Sequence, residues 1–394
     1  MDITQRTELM QRWHVVQQEL LPELMEADGP LTPRLINLIH ILEWVRIEEF
    51  VEASWCGIGR PPHERSVIAN AFVAKVVLKL DTTTGLIDRL QVDRALRRIC
   101  GFPRWKKIPS ESTFSRAFDE FAQAKLAERV QEALVKEHLG DELIGHISRD
   151  GTAIEVREKP VRKEKQKAEE TPATEQTHAA AETPAMKETP TASETLATEA
   201  DLKPGRKGES TKPKLKRITQ QLNQALDEML AELPKDCDRG SKSNAQGYKN
   251  SWNGYKLHID TADCGVPVSA ILTSASLHDS QVSIPLATMT AARVTNCYDL
   301  MDAAYCSEEI RSHSRSLDHV PLIDHNPRGG EKIEFAPAQA ERYKERSQAE
   351  RTNARLKDEF GGNAIWVRGH SKVASHLMFG LLVLTADQLM RLLT

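Results

Sequence analysis

Three acidic residues occupy positions from which a folded chain can bring carboxylates together. Asp150 directly follows an apolar run and precedes a glycine, which predicts a strand end where the chain turns. Asp302 repeats this arrangement and is followed by two alanines. Glu350 lies in the middle of a helix predicted over about 337–359. Carboxylates at strand ends and on an adjacent helix can converge on a divalent metal ion, which prefers hard oxygen ligands.

The predicted helix around Glu350 carries polar side chains along one narrow stripe. The stripe consists of Tyr343, Arg346, Glu350 and Lys357. At 100° per residue these positions share an arc of about 60°. An amphipathic core helix would place apolar residues on so narrow a stripe, whereas this one presents a phenol, a guanidinium, a carboxylate and an ammonium. We therefore expect this face to carry out chemistry or to bind a charged partner.

These patterns resemble those of the DDE transposases of bacterial insertion sequences. The spacing Tyr343-x-x-Arg346-x-x-x-Glu350, with Lys357 seven residues on, is similar to the family's Tyr-Arg-Glu-Lys signature. Asp150-Gly151-Thr152 and Asp302-Ala303-Ala304-Tyr305 resemble the contexts of its two aspartates. Other similar segments are Trp252-x-Gly254-Tyr255-Lys256-Leu257-His258, Leu277-His278-Asp279-Ser280, Asp324-x-Asn326-Pro327-Arg328 and the helical region Phe72 to Phe118.

The resemblance implies a ribonuclease H-like core with Asp150 on its first strand, Asp302 on its fourth and Glu350 on a following helix. It also implies that these carboxylates hold two Mg²⁺ ions, for which Mn²⁺ can substitute, at a scissile DNA phosphate. The implied reaction is DNA cleavage and strand transfer at terminal inverted repeats without a covalent enzyme intermediate. The other three residues of the stripe would grip the phosphate backbone near the cut.

The partners implied by the resemblance are double-stranded DNA, both in the terminal repeats and in the target, and a second copy of the chain. The helical N-terminal region would bind the repeats, and pairing of two DNA ends makes a homodimer the expected synaptic unit. We expect a bacterial cytoplasmic location at the nucleoid. Two rival functions are a ribonuclease H-like nuclease without strand transfer and a transposase-derived DNA-binding protein that has lost catalysis.

Several residues near these motifs have more than one interpretation. Arg351 and Arg355 are one helical turn apart and either contact DNA phosphates or form a solvated basic face. Trp252 and Trp366 either stack on an unpaired base or pack in the core, and the pattern favours the core. His258 and His278 are expected to be hydrogen-bonded structural residues outside the site.

Residues 1–140 are predicted to form an all-α domain, because apolar residues recur at spacings of three and four. Within it, Gly85 to Ile99 and Ser112 to Ala122 are predicted as two helices joined by a Gly-Phe-Pro break, with Ser110 or Ser112 as the second N-cap. This arrangement is compatible with a helix-turn-helix that reads DNA and also with plain helix packing. Packing is the more general explanation, since any two helices with a turn give the pattern.

The second half of the chain predicts a mixed α/β catalytic domain that is interrupted by an insertion. Residues 141–156 form its first part, and residues 157–214 are so rich in Lys, Glu, Thr, Ala and Pro that we expect disorder. Residues 215–394 complete the domain, beginning with one amphipathic helix from Leu215 to Leu233 that Pro234 stops. The β-type runs are 143–147, 255–259, 266–272, 293–301 and 319–323, and a helix is predicted from about 372 to 393.

Composition excludes several classes of protein. The net charge of −4 hides an asymmetry, because Thr171 to Asp201 holds six acids and one base whereas Lys203 to Arg217 holds seven bases and one acid. Basic surface for a nucleic acid is therefore compatible with the acidic total. The apolar run Leu377 to Leu384 is much shorter than the roughly 18 residues of a membrane span. The six scattered cysteines predict neither a disulfide framework nor a zinc site.

Overall fold

The structure is a computed structural model that describes residues 3–52, 63–103, 105–161, 216–243, 247–327 and 330–392. Its strands are β1 (Leu143–Glu155), β2 (Asp238–Ser243), β3 (Lys249–Ala262), β4 (Pro267–Ser274), β5 (Thr295–Met301) and β6 (Val320–Ile323). Its helices are α1 (Ile3–Val15), α2 (Leu21–Asp28), α3 (Pro33–Val45), α4 (Arg65–Val77), α5 (Thr83–Val92), α6 (Arg94–Ile99), α7 (Glu111–Gln123), α8 (Leu126–Leu139), α9 (Arg217–Gln221), α10 (Leu226–Glu232), α11 (Ser280–Ala291), α12 (Glu308–Ser316), α13 (Pro337–Tyr343), α14 (Ser347–Glu359) and α15 (His370–Arg391).

A single mixed sheet contains the six described strands, with β1 in its interior. β1 pairs antiparallel with β3 on one side and parallel with β5 on the other, and β6 continues the parallel half. β4 pairs with the same stretch of β3 as β1 does and therefore lies on its opposite side, whereas β2 pairs with the first residues of β3. β2 and β4 therefore lie on the same side of β3, and β1, β5 and β6 follow in that order on its other side. The prediction of a helical N-terminal region followed by a mixed-sheet domain is confirmed.

A buried ion pair joins β1 to β3 in the middle of the sheet. Arg149 and Asp260 are direct cross-strand partners. Arg149 Nε donates to Asp260 Oδ1 at 2.8 Å, and Nη2 donates to Oδ2 at 2.7 Å. Arg149 Nη1 also donates to Ser283 Oγ on α11, and Thr290 on α11 donates to Asp260 Oδ2. Although burial alone lowers the pKa of Arg149, the Asp260 carboxylate more than offsets this, so the pKa lies above its ordinary value.

Helix α15 connects the helical region to the sheet. It packs against α3, α4, α7 and α8 and against β4, and one hydrophobic cluster includes residues from all of these elements. Phe379 on α15 lies 5.8 Å from Phe72 and 6.2 Å from Phe118, measured between ring centroids. Within the described part of the chain, α15 alone is long and apolar enough to span a membrane, but 83% of its apolar window is buried, as in a core helix.

Two of the predicted helices outside the region of Glu350 are interrupted in the structure. The helix predicted from Gly85 to Ile99 is divided into α5 and α6 at Asp93, whose side chain accepts a hydrogen bond from Leu96 N and so caps α6. The helix predicted from Leu215 to Leu233 is also wrong, because α9 ends at Gln221 and α10 starts at Leu226. Ile218 of α9 and Met229 of α10 pack into one cluster with Ile284 of α11, whereas Leu230 of α10 packs against a second cluster that contains Leu286 of α11.

Most of the predicted insertion, residues 162–214, lies outside the described residues. Its first residues, 157–161, are irregular in structure. They are nevertheless held to the sheet and to the chain before α15: Val161 N donates to Cys237 O, and the Arg157 guanidinium lies 3.5 Å from the centroid of the Trp366 ring.

We expect the buried pair of Arg149 and Asp260 to be a major determinant of stability. Arg149→Met leaves the Asp260 carboxylate buried without its partner, which should lower the free energy of unfolding by about 3 kcal/mol or more. Urea denaturation followed by circular dichroism measures this loss. Combining Arg149→Met with Asp260→Leu removes both charges and should recover part of it. Equal stability of Arg149→Met and wild type would contradict this assignment.

A candidate carboxylate site at the ends of two parallel strands

Asp150 and Asp302 lie side by side where the parallel strands β1 and β5 separate. The last paired residues are Ser148 on β1 and Leu300 on β5, so two residues further on both chains reach the two aspartates at the same level. Asp302 follows β5 directly and accepts a hydrogen bond from Ala304 N at 2.9 Å. The predicted strand end at Asp302 is therefore confirmed.

The predicted strand end at Asp150 is wrong. β1 continues to Glu155, and Asp150 pairs with Ile259 of β3. β3, the antiparallel partner, pairs with β1 up to Glu155, whereas β5, the parallel partner, pairs with it only up to Ser148. From Asp150 onward β1 is therefore hydrogen-bonded to β3 alone. The glycine after Asp150 does not make a turn. A Cβ at Gly151 would lie 3.1 Å from His258 Nδ1 and 3.3 Å from Asp279 Oδ1, so close packing explains the glycine.

The helix that carries Glu350 is interrupted, contrary to the prediction of one continuous helix. α13 ends at Tyr343, a 3₁₀ turn covers residues 344–346, and α14 begins at Ser347, so Glu350 lies in the first turn of α14. Two hydrogen bonds hold the turn against the strand ends. The Tyr343 hydroxyl donates to Met301 O at 3.1 Å, and Ser148 Oγ donates to Glu345 O at 3.2 Å. The turn therefore follows from docking onto β1 and β5.

Arg346 lies among the three predicted carboxylates. Its Nη2 is 3.3 Å from Asp150 Oδ1 and 3.9 Å from Asp302 Oδ2, and its Nη1 donates to Glu350 Oε1 at 2.8 Å. The Asp150 side chain is 15% exposed, that of Asp302 32% and that of Glu350 62%. The structure thus brings Asp150, Asp302 and Glu350 around one guanidinium, with the two aspartates on the sheet and the glutamate at the solvent side.

Asn353 belongs to the same site, although the sequence analysis did not select it. It is buried one turn after Glu350 on α14, and its Nδ2 donates to Asp150 Oδ2 at 2.9 Å. Both carboxylate oxygens of Asp150 are therefore hydrogen-bonded to side chains that lie within four residues of Glu350: Arg346 binds Oδ1 and Asn353 binds Oδ2. The spacing of three residues from Glu350 is the only signal in the sequence that could have indicated it.

The electrostatics of the site follow from burying carboxylates next to one another. Burial raises the pKa of Asp150, the nearby Asp302 adds to this, and Arg346 opposes it. Burial alone would lower the pKa of Arg346, but Asp150 leads the groups that outweigh it, and the net shift is upward. Burial also raises the pKa of Tyr343 to about 12, so its hydroxyl remains a hydrogen-bond donor at neutral pH.

A second polar group borders Asp150 on the Gly151 side. Lys256 Nζ donates to Asp279 Oδ1 at 2.8 Å, and His258 Nδ1 is 3.9 Å from the same oxygen. The Tyr305 side chain is buried beside these groups, and burial raises the pKa of its phenol, with Asp279 and Asp150 adding to the shift. His258 is hydrogen-bonded to Thr273, as expected of a structural histidine, and burial lowers its pKa to about 4. These residues come from segments that carried the resemblance to a family.

The other basic residues predicted to bind DNA have different surroundings. Lys357 is half-buried, and burial lowers its pKa. The carboxylates of Glu155, the last residue of β1, and of Asp150 act in the opposite direction and raise the pKa. Arg351 is exposed. Arg355 faces α15, where its Nη1 donates to Gln388 Oε1 at 2.7 Å and its Nη2 pairs with Asp387. The guanidinium of Arg355 is therefore already engaged within the chain.

The two tryptophans weighed as base-stacking residues differ in exposure. Trp252 is buried, and its Nε1 donates to Tyr255 O at 3.0 Å, as in core packing. Trp366 is 49% exposed and has the Arg157 guanidinium over its ring, so the core prediction is wrong for this residue. His278 is exposed, lies within hydrogen-bonding distance of Ser280 Oγ, and is outside the carboxylate group.

The residues around Arg346 suit a divalent metal ion in their chemistry. The described part of the chain contains no group of three or more Asp, Glu, His or Cys side chains already arranged to hold one. The cation that the carboxylates surround is the guanidinium of Arg346 itself. Carboxylate oxygens are the ligands that Mg²⁺ prefers, and the buried Asn353 Oδ1 has no partner among the described residues. Asp150, Asp302 and Glu350 could therefore hold a metal ion once Arg346 turns to another anion.

Comparison with known protein families gives two matches. The model of the transposase DDE domain matches residues 219–386, and a transposase domain model (DUF772) matches residues 25–120. Asp302, Glu350 and Arg346 lie within the first match, and Asp150 is brought to them by β1. No curated protein and no solved structure matches the chain. The two matches cover both the helical region and most of the sheet domain, and the chain belongs to the DDE transposases of insertion sequences.

Proposed function

We propose that the protein cuts and joins DNA at the terminal inverted repeats of its insertion sequence, with Asp150, Asp302 and Glu350 as the catalytic carboxylates. The observation that carries this proposal is the convergence of the three carboxylates on one guanidinium at the ends of β1 and β5. The three carboxylates follow one another along the chain in the order that is typical of the family, and the motifs around them resemble the family's motifs. Double-stranded DNA is the substrate, both in the repeats and in the target.

The proposed cofactor is Mg²⁺, with Mn²⁺ as a substitute, and two ions per site. Members of the family generally use divalent metal ions, and in phosphoryl transfer such ions activate the attacking oxygen and stabilise the leaving one. Asp150 and Asp302 would hold the cofactor from the sheet, and Glu350 from the solvent side. Asn353 would keep Asp150 in a fixed orientation, because its amide already binds Oδ2 of that residue.

The reaction is an in-line displacement at phosphorus in two stages. A water molecule first loses a proton and its oxygen forms a bond to phosphorus, while the bond from phosphorus to the 3′-oxygen breaks and that oxygen takes up a proton, which leaves a 3′-hydroxyl and a 5′-phosphate. That hydroxyl then attacks a phosphate of the target strand and displaces its 3′-oxygen. Arg346 would pair with the scissile phosphate when the carboxylates take up their cofactor, since a phosphate offers a guanidinium the same paired oxygens as a carboxylate.

Tyr343 and Lys357 complete the proposed Tyr-Arg-Glu-Lys signature. Lys357 lies two helical turns after Glu350 and near the end of β1, where its ammonium can contact the DNA backbone. The Tyr343 hydroxyl binds Met301 O, so its present role is to hold the 3₁₀ turn against β5. Arg351 is exposed and remains a proposed phosphate contact, whereas the bonds of Arg355 to α15 favour a structural role.

The fold is proposed to be ribonuclease H-like. The strand order, with β2 and β4 beside β3 and then β1, β5 and β6, antiparallel on one side of β1 and parallel on the other, supports this. Asp150 lies on the first strand, as the resemblance implies, whereas Asp302 directly follows the fifth strand, β5, and not the fourth, because the short strand β2 precedes β3. A homodimer that pairs two DNA ends, acting in the bacterial cytoplasm at the nucleoid, completes the proposal.

The catalytic assignment predicts loss of both reactions from each carboxylate variant. Asp150→Ala, Asp302→Ala and Glu350→Ala should each lower the rate of cleavage and of strand transfer by about a hundredfold or more, because each removes a ligand of the catalytic cation. The assay uses a labelled duplex of the element's terminal repeat with Mg²⁺ or Mn²⁺. Glu341→Ala, an exposed acid upstream on α13, is the matched control and should retain activity.

Each possible product pattern has a definite meaning. Cleaved ends without joined products would indicate a nuclease instead of a transposase. Binding of the repeat without cleavage in wild type, with either metal, would favour the DNA-binding rival. Normal cleavage by one of the three alanine variants would remove that residue from the catalytic set.

We expect Asn353 to increase the rate of DNA cleavage, because its hydrogen bond orients the Asp150 carboxylate. Asn353→Ala should lower the cleavage rate by about 10- to 100-fold, since removing a partner that orients a metal ligand typically costs that much. Asn363→Ala is a matched control, because Asn363 also donates to an aspartate but on the surface, at 3.5 Å from Asp358 Oδ1. Equal cleavage rates for the two variants would contradict the positioning role.

Arg346 should compete with the metal ion in the absence of DNA. Arg346→Gln removes the cation that faces the carboxylates, so Mn²⁺ should bind about tenfold more tightly, a gain of about 1.4 kcal/mol. Isothermal titration calorimetry without DNA measures this affinity. Arg355→Gln, which removes a guanidinium from the same helix but from the α15 side, should leave it unchanged. Weaker Mn²⁺ binding by Arg346→Gln would show that Arg346 supports the metal ion and does not exclude it.

A further inference from the structure

The connection between α6 and α7 is held firmly although it is exposed to solvent. Phe102 and Ile108, at its two ends, are buried in the main hydrophobic cluster. Phe102 lies 6.4 Å from Phe114 of α7, measured between ring centroids. A loop whose two ends are fixed in the core has little freedom to fold its tip back onto the protein.

Arg97 fixes the backbone at the tip of this loop. Its Nη2 donates to Pro103 O at 3.0 Å and to Lys106 O at 2.6 Å, and its own carbonyl accepts from Phe102 N. Lys106 N also donates to Pro103 O, which closes a tight turn. One side chain of α6 therefore satisfies carbonyl groups on both sides of Trp105.

This rigid turn directs an indole ring into solvent. Trp105 is 85% exposed, whereas Trp44 and Trp252 are buried and Trp366 is partly covered by Arg157. An exposed side chain this large forgoes the favourable free energy that its burial would contribute. The described part of the chain offers no packing reason for this exposure, and an exposed aromatic residue on a rigid support is typical of a binding surface.

Exposed basic residues lie on the loop that carries the indole and on the two helices that flank this loop. Lys106 and Lys107 follow it directly, and both are exposed. Arg94 and Arg98 are exposed one turn apart on α6, and Arg116 is exposed on α7. Residues 89–116 contain eight lysines and arginines and two acids, although the whole chain has a net charge of −4. This concentration of positive charge predicts a polyanionic partner.

We propose that Arg94, Arg98, Trp105, Lys106, Lys107 and Arg116 form a surface, here named the Trp105 surface, that binds duplex DNA. The cations contact phosphates of the backbone, and the indole of Trp105 packs against sugars and base edges in a groove. The surface comprises the connection between the two segments that the sequence suggested as a helix-turn-helix, together with three arginines on these segments. The DNA contact is thus made by the connecting loop and its flanking cations.

The choice of duplex DNA rests on the proposed function, because a transposase must hold DNA outside its catalytic carboxylates. A basic surface with a tryptophan also suits an anionic membrane, where indole rings lie at the lipid headgroups. The positive charges are spread over α6, the loop and α7. Charges on three different elements suit a curved, evenly charged duplex more than a flat bilayer. Binding of each variant to duplex DNA and to phosphatidylglycerol vesicles, measured separately, distinguishes the two partners.

Fluorescence anisotropy with a labelled terminal-repeat duplex, in EDTA so that no cleavage occurs, tests the Trp105 surface. The variants are Trp105→Ala, Trp105→Phe and the double variant Lys106→Ala/Lys107→Ala. Lys136→Ala/Lys235→Ala, which removes two exposed lysines elsewhere, is the control for net charge. Circular dichroism verifies that each variant is folded.

The variants have distinct expected signatures. Lys106→Ala/Lys107→Ala should lower the slope of log affinity against log salt concentration by about 2, since about one counterion is released per lysine contact. Trp105→Ala should weaken binding by about 5- to 100-fold with the slope unchanged, and Trp105→Phe should restore much of the affinity. The control pair should bind with the slope of wild type.

The outcomes distinguish this proposal from the catalytic one. If wild type binds the duplex and all surface variants bind like the control pair, the Trp105 surface is wrong while the catalytic proposal is unaffected. If the variants lose binding to phosphatidylglycerol vesicles but keep DNA binding, the partner is a membrane and the proposal is overturned. Binding is measured in EDTA, where no cleavage occurs, so a failure of the carboxylate chemistry cannot mimic a failure of this surface.

Discussion

The structure around the site depends on a single buried ion pair between neighbouring strands. Arg149 and Asp260 face each other across β1 and β3, and both are almost fully buried. Two charges can remain in such a place only if each satisfies the other, and here α11 supplies further hydrogen bonds to both. Because successive residues of a strand point to opposite faces, fixing Arg149 toward α11 also fixes Asp150 toward α14.

The second constraint is the repulsion among carboxylates that the fold brings together. Asp150 is mostly buried and has Asp302 beside it, so its ionised form needs a nearby cation. Arg346 supplies that cation from the 3₁₀ turn between α13 and α14. The turn is docked by Tyr343 and Ser148 onto the strand ends, so the break in the helix and the position of the guanidinium have the same cause.

Helix α15 gives the helical region a fixed relation to the sheet. Its side chains share one cluster with α7, α8 and the strands, so the helices that carry the Trp105 surface are packed against the same core as the sheet. If the Trp105 surface binds DNA as proposed, that DNA is held by helices that share their core with the sheet that carries the two aspartates. In physical terms, binding energy at one part of the chain can then position the substrate at another.

The sequence by itself identified the residue types and most of the strands. Asp150, Asp302, Glu350 and Arg346 were recognisable from apolar runs and spacing, because hydrophobic periodicity and local turn signals are properties of short segments. The strands around them were predictable for the same reason. Helix breaks at Asp93 and after Tyr343 were not, since apolar spacing does not reveal where a helix must bend to reach two different partners.

Only the tertiary structure decided which polar groups meet. Asn353 has no distinctive local pattern, yet it binds Asp150 from a position more than 200 residues away along the chain. The extension of β1 past Asp150 depends on β3, which a local turn signal could not include. Likewise, the sequence left open whether Arg355 contacts DNA or forms a solvated face, but in the structure its guanidinium binds α15, whereas that of Arg346 faces the carboxylates. Local patterns fix what a segment can form, whereas contacts between distant segments determine what each side chain does.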